Sequence, residues 1–249
     1  MDIGLYQSAA SLASLERWQD AVAQNITSSQ VSGYRKRTVE FSTQSGGEWH
    51  LDPSVSTTGD TTQTAVFPKT TAGINFQAGE PQPTGRDLDV AIEGKGFFEV
   101  EQADGTKAYS RDGAFTVRSD RTLVDSSGAE VMSTSGSAIT LLPNGAKVVI
   151  NRDGTVMQGN STVARIGVQD FTDPRQLTPV AGGLFVPGKD QEAVPVEKPM
   201  LLQGYSEASN VTPMREMVDM VLISRSYDAN QRLIKSADEQ MQKTLDALG

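Results

Sequence analysis

The sequence predicts an α+β fold in which long N- and C-terminal helices pack as a coiled-coil pair and flank a central antiparallel β-rich domain. Three observations carry this expectation. Apolar and small residues near the start repeat at alternating steps of three and four. A longer run with the same spacing ends the chain. Between them lie many short apolar segments separated by Asp-Gly and Asn-Gly pairs.

The first stripe is Leu5, Ser8, Leu12, Leu15, Gln19, Val22 and Ile26. That spacing keeps one helix face apolar. Ala and Ser fill much of the remainder, so the helix is slender. Small polar residues and Gly33 end the pattern, giving an N-terminal helical segment over 1–32. Residues 33–75 read as an extended linker, because 42–75 are rich in Ser, Thr and Gly. Within it, Val55, Val66 and Phe67 can dock as short strands.

Residues 76–203 read as a β-rich domain. Val90-Ala91-Ile92, Phe97-Phe98-Glu99-Val100, Ile139-Thr140-Leu141-Leu142 and Val148-Val149-Ile150 are typical of its short runs. Asp104-Gly105, Asp112-Gly113, Asn144-Gly145 and Asp153-Gly154 supply residues that favour tight hairpin turns. Residues 204–249 read as a connector and the second helix. Thr212 suits an N-cap and Pro213 the first turn. Met220, Ile223, Tyr227, Asn230, Ile234, Ala237, Met241, Thr244 and Leu248 then repeat at steps of three and four. With no Gly before Gly249, one helix of roughly 35 residues follows, about 50 Å long. Residues 1–32 and 213–249 together form the expected inner helical domain.

Composition excludes several function classes. The 249 residues carry a net charge of −9, which disfavours a nucleic-acid phosphate binder. Zero Cys removes disulfides, zinc–thiolate sites and thiol nucleophiles. A single His, His50, rules out any site with two imidazoles. The opening residues lack the features of a secretory signal peptide, and no run reaches the roughly 18 apolar residues of a membrane helix. Gly94-Lys95-Gly96 has no helix behind it to cradle phosphate and reads as a tight turn. Asp87 and Asp89 would share a face in a strand, where paired carboxylates suit glycoside chemistry; a solvated face is the plainer reading. Arg35-Lys36-Arg37 reads as a solvated strand edge or half of an inter-subunit charge pair. Neither a cofactor nor a metal is expected, and neither is a small-molecule substrate.

Five segments resemble the bacterial flagellar basal-body rod and hook proteins. The first is Ala23-Gln24-Asn25-Ile26-Thr27-Ser28-Ser29-Gln30-Val31-Ser32-Gly33-Tyr34-Arg35, similar to the family's N-terminal signature, with Asn25-Ile26-Thr27-Ser28 where the family has Asn-Leu-Ala-Asn. The others are Leu88-Asp89-Val90-Ala91-Ile92-Glu93-Gly94-Lys95-Gly96-Phe97-Phe98, Tyr109-Ser110-Arg111-Asp112-Gly113-Ala114-Phe115, Gln203-Gly204-Tyr205-Ser206-Glu207-Ala208-Ser209-Asn210-Val211, and Glu216-Met217-Val218 with Arg225-Ser226-Tyr227-Asp228-Ala229-Asn230-Gln231. They occur in the family's order and span nearly the whole chain. The opening Met1 to Tyr6 and the length look more like proximal-rod than distal-rod members; hook proteins are usually longer.

The resemblance implies a structural subunit of a helical tube, with the terminal helices lining its channel and the β domain outside. It implies export by the flagellar type III apparatus without a cleaved signal, and residence in the periplasm-spanning rod. The implied partners are copies of this chain and other rod and axial proteins. On this reading the packing seam is Leu5, Leu12, Leu15, Val22, Ile26, Met220, Ile223, Tyr227, Ile234, Met241 and Leu248. Two other classes stay open on the residues alone: a secreted binding module such as an adhesin or phage-tail-like component, and a carbohydrate-active enzyme using Asp87 or Asp89.

Overall fold

The computed structural model describes residues 3–50, 62–143, 145–189 and 191–248. The chain divides into two compact units. One comprises Met1–Thr27, Arg37–Ile74 and Thr212–Gly249, the other Ser28–Lys36 and Asn75–Val211.

The first unit contains helix α1 (Ile3–Thr27), strands β1 (Arg37–His50) and β2 (Thr62–Ile74), and helix α2 (Pro213–Leu248). In α2, the Thr212 carbonyl accepts from the Arg215 and Glu216 amides, and Pro213 fills the first helical position. β1 and β2 pair antiparallel from Arg37↔Ile74 to Ser45↔Val66, shift register before Glu48, and pair again from Glu48↔Thr64 to His50↔Thr62. Such a shift is the mark of a bulge, and Gly46-Gly47 occupies it.

Two expectations are corrected here. First, no long coiled-coil pair forms. α1 has 25 residues against 36 in α2, and the fully buried apolar residues they share are Leu15, Val22 and Ile223. The reason lies in α1 itself. Two of its seven stripe positions are Ser8 and Gln19, too polar to sustain an apolar seam, and Gln19 is exposed. α1 spends a second face on the hairpin: Trp18 meets Phe41 of β1 edge-on, ring centroids 5.5 Å apart. Arg17 Nη1 donates to Thr70 Oγ1 at 3.1 Å, and Gln7 Nε2 to the Val66 carbonyl at 3.0 Å. Second, the described part of the expected linker is a long hairpin belonging with the helices. Thr favours extended backbone, and packing against α1 through Phe41 supports the ladder. Val55 lies outside the described residues, while Val66 and Phe67 fall within β2.

The second unit is all β apart from two 3-10 turns among the described residues. Its strands are β3 (Pro81–Pro83), β4 (Val90–Glu93), β5 (Phe97–Glu101), β6 (Lys107–Ser110), β7 (Thr116–Val117), β8 (Leu123–Val124), β9 (Glu130–Val131), β10 (Val148–Ile150), β11 (Thr155–Gln158), β12 (Ser161–Arg165), β13 (Val168–Asp170), β14 (Thr178–Pro179), β15 (Phe185–Val186), β16 (Val194–Pro195), β17 (Met200–Gln203) and β18 (Tyr205–Glu207). A nine-stranded antiparallel sheet runs β14-β15-β6-β5-β9-β8-β7, with β13 also on β5 and β16 on β13. β10-β11-β12 form a meander, and β17 pairs with β4 and β18 with β3. Aspartates close several of the turns. Asp104, Asp120 and Asp153 each accept from the amide two residues on, at 2.8, 2.9 and 3.1 Å. These bonds hold all three carboxyls below their ordinary pKa. The core gathers Val90, Phe98, Phe115, Leu123, Val131, Ile139, Val156, Ile166 and Leu201, each at most 1% exposed. Phe98 and Phe115 pack edge to face at 5.0 Å.

Candidate functional site

In the helical unit, one apolar cluster joins α1 to α2. Leu15, Val22 and Ile223 are its buried centre, and Trp18, Ile26, Met220 and Tyr227 pack around it. A polar knot sits at one end. Asn25 Nδ2 donates to Glu216 Oε2 at 2.9 Å and to the Arg37 carbonyl at 2.9 Å, while Asn25 Oδ1 accepts from the Arg37 amide at 2.8 Å. Asn25 and Glu216 are both buried. One side chain thereby ties α1 to α2 and to the start of β1.

Of the residues expected in the seam, Leu15, Val22, Ile26, Met220, Ile223 and Tyr227 come together. Leu12 and Ile234 are half-buried outside that cluster, and Met241 is 45% exposed. The side chains of Leu5 and Leu248 lie outside the described residues. Trp18 lies three residues after Leu15 and four before Val22, so the same spacing admits it; the stripe drawn through Gln19 passes it by. Asn25 was legible only as part of the N-terminal motif.

The second unit contains a buried charge cluster on the segment that follows α1. Arg35 is not a solvated strand-edge residue: it is 3% exposed, and its Nη2 lies 2.5 Å from Glu207 Oε1. Arg111 Nη1 lies 3.0 Å from Glu207 Oε2 and also donates to the Ile92 carbonyl at 3.2 Å. Arg111 Nη2 donates to the Gly94 carbonyl at 2.5 Å, and its guanidinium sits 5.5 Å from the Phe97 ring centroid. Burial pulls the Arg111 pKa below its ordinary value; Glu207 opposes that and the Arg35 charge adds to it. Glu207 also accepts from the Gly79 amide at 2.9 Å. A carboxylate held by two guanidiniums and an amide fixes three segments at once. Gly33 completes the fit. Its φ is +68°, and a Cβ there would lie 2.3 Å from the Arg111 carbonyl carbon. No other residue fits that position.

The remaining candidates scatter. Asp87 is exposed and faces Lys147 at 3.1 Å, whereas Asp89 is buried, so a turn splits the pair expected on one strand face. Gly94 and Gly96 both have positive φ in the turn between β4 and β5. The His50 side chain lies outside the described residues. Among the described residues no group of His, Cys, Asp or Glu has the arrangement of a metal site, and no helix is long and apolar enough to cross a membrane.

Comparison with known proteins places this geometry. Residues 91–158 match the model described as the flagellar hook protein FlgE/F/G D1 domain, and residues 202–247 the flagellar basal body rod FlgEFG protein C-terminal model. The flagellar basal-body rod protein FlgF of Caulobacter vibrioides is 31% identical over 249 residues, covering 100% of this chain and 99% of that protein. The chain belongs to the flagellar basal-body rod protein family. FlgF of Mesorhizobium japonicum is 25% identical over 100% of this chain, and FlgG of Borreliella burgdorferi 29% identical over 95%. The FlgF-type likeness thus runs end to end. The chain is a structural subunit of the rod and resides in the flagellar basal body. Both family models fall on parts of this rod subunit described above: 91–158 on the β core and 202–247 on the connector and α2.

Proposed function

We propose that this rod subunit works by adding to copies of itself and to other rod proteins, forming a helical axial tube that carries torque from motor to hook. On this proposal the helices, residues 1–32 and 213–249, form the inner layer, and residues 76–203 the outer one. Subunits leave the cell interior through the flagellar type III apparatus and order their helices on arrival. The role is mechanical: the chain is not an enzyme and takes no nucleic acid or small-molecule substrate. The relatives named as basal-body rod proteins support this reading.

The observation that carries it is the thinness of the helical unit. Helices of 25 and 36 residues share three fully buried apolar side chains. At roughly 1.5–3 kcal/mol for each buried side chain, that burial does not offset the ordering entropy of so much backbone. Of the rest of the expected seam, Met241 is 45% exposed, and Leu12 and Ile234 are half-buried outside the intrachain cluster. Ile234 tests this, since it is half-buried yet outside the intrachain cluster. Ile234→Asp is expected to abolish recovery of the chain in isolated basal bodies while the β core still melts cooperatively. Normal incorporation and swimming with this variant would remove Ile234 from the packing surface.

A further inference from the structure

The chain holds all its sulfur as thioether: it has eight methionines and no cysteine. Three of the eight, Met214, Met217 and Met220, crowd the start of α2. Their surroundings differ. Met220 packs against the cluster of Leu15, Val22 and Ile223. Met214 is 75% exposed and Met217 51%, and neither packs in that cluster. Between them Glu216 is fully buried and accepts from Asn25. The start of α2 is thus pinned through Glu216 while two thioethers stand in solvent.

Met214 and Met217 belong to one bare patch with the exposed Val218 and Val221, joined at helix steps of three and four. One oxygen added to either sulfur turns a flexible apolar side chain into a polar one. Here that change falls on the patch and leaves the cluster between α1 and α2 untouched. Other methionines in the chain are shielded. Met132 is 4% exposed, and the Met157 sulfur accepts from Asn151 Nδ2 at 3.4 Å. Met200 and Met241 are exposed but lie in β17 and farther along α2.

We infer that Met214 and Met217 form a redox-modification site, which peroxide converts to methionine sulfoxide in the free subunit and which controls whether that subunit joins the rod. The inference rests on the rod-subunit reading above, under which a helix face left bare by its own chain is covered on assembly. In the forward step the thioether sulfur gives a lone pair to one peroxide oxygen. An S–O bond forms, the O–O bond breaks and water leaves; sulfur loses two electrons and the peroxide gains them. The reverse step takes two electrons and two protons from a sulfoxide reductase and releases the oxygen as water. The reducing thiols must be that enzyme's, since this chain has none.

The test uses cells that lack methionine sulfoxide reductases and carry, as their only copy, either this chain or its Met214→Leu/Met217→Leu variant. Leu nearly conserves the volume of Met and cannot take the oxygen. Hydrogen peroxide is added while rods grow. Peptide mass mapping of unassembled chain is expected to show one added oxygen at Met214 and at Met217, and none at Met132. Chain recovered in basal bodies is expected to lack it at both positions. Under peroxide, recovery of the unsubstituted chain is expected to fall roughly tenfold, the scale of setting a polar group against an apolar contact, while the Leu variant holds its level. Without peroxide, Met214→Gln/Met217→Gln is expected to lose as much while its β core still melts as before. Unmodified sulfur at both positions in the unassembled chain overturns the site. Equal sulfoxide in assembled and unassembled chain, an equal peroxide loss in the Leu variant, or full recovery of the Gln variant overturns its control of assembly. Absence of the untreated chain from basal bodies would instead overturn the rod reading.

Discussion

The β core and the helical seam are built from the same kinds of apolar residue but differ in depth. Around Phe98 the side chains are sealed on all sides by other strands. Around Val22 and Ile223 the apolar layer is one residue thick, and the same helices expose Met214, Val218, Val221 and Leu233. The difference teaches where folding ends and assembly begins. A region that closes its own core needs no partner, whereas one that leaves whole helix faces bare is finished only by neighbours.

The largest effect that would break this comparison comes from the charge cluster. Glu207→Ala leaves Arg35 and Arg111 buried without their shared carboxylate, and removing one member of a buried ion pair costs about 3–5 kcal/mol. Denaturant unfolding followed by tryptophan-independent far-UV signal should show the β transition shifted by that amount. A shift under about 1 kcal/mol would mean that the cluster does not hold the β unit together. Next come paired truncations that sharpen the contrast. Phe98→Ala should cost about 3–5 kcal/mol in the β transition. Ile223→Ala should leave that transition unchanged and lower recovery of the chain in isolated basal bodies. Equal losses in one cooperative step would show the two units to be energetically one.

The smallest effect concerns Asp112. Burial raises its pKa above 3.8, with the nearby Asp125 and Asp89 charges adding to the rise, while its bonds from Ser126 Oγ and the Ala114 amide oppose it. A carboxyl whose folded pKa lies above its unfolded one contributes stability that is full below the unfolded value and is lost as pH rises through the folded value. Asp112→Asn should therefore flatten the decline of β-unit stability above about pH 4. An unchanged pH slope would show that the Asp112 site does not disfavour its charged form.

The sequence made some of this legible and hid the rest for physical reasons. α2 was readable because Pro213 marks its start and large apolar residues hold the three-four rhythm. The β turns were readable because Asp at those positions bonds the amide two residues on. The hairpin over 37–74 was hidden because its ladder is built from Ser, Thr and Gln, whose pattern lacks an apolar alternation. The coiled-coil expectation failed because a repeat was counted through Ser8 and Gln19, where spacing persists without apolar area. Arg35 was hidden because a run of three basic residues in an acidic chain says nothing about which of them meets a buried carboxylate.

Within the β unit, three of the four places where the backbone enters or leaves are stitched together. The Lys36 amide donates to Asn210 Oδ1 at 2.7 Å, the Asn75 amide to the Lys36 carbonyl at 2.8 Å, and Asn210 Nδ2 to the Asn75 and Gln77 carbonyls at 2.8 Å each. A single asparagine thus gathers three of those four crossings. Any body grafted in place of residues 75–211 would therefore have to rebuild this clasp and also offer Gly33 and Arg35 the seat that Arg111 and Glu207 now give them.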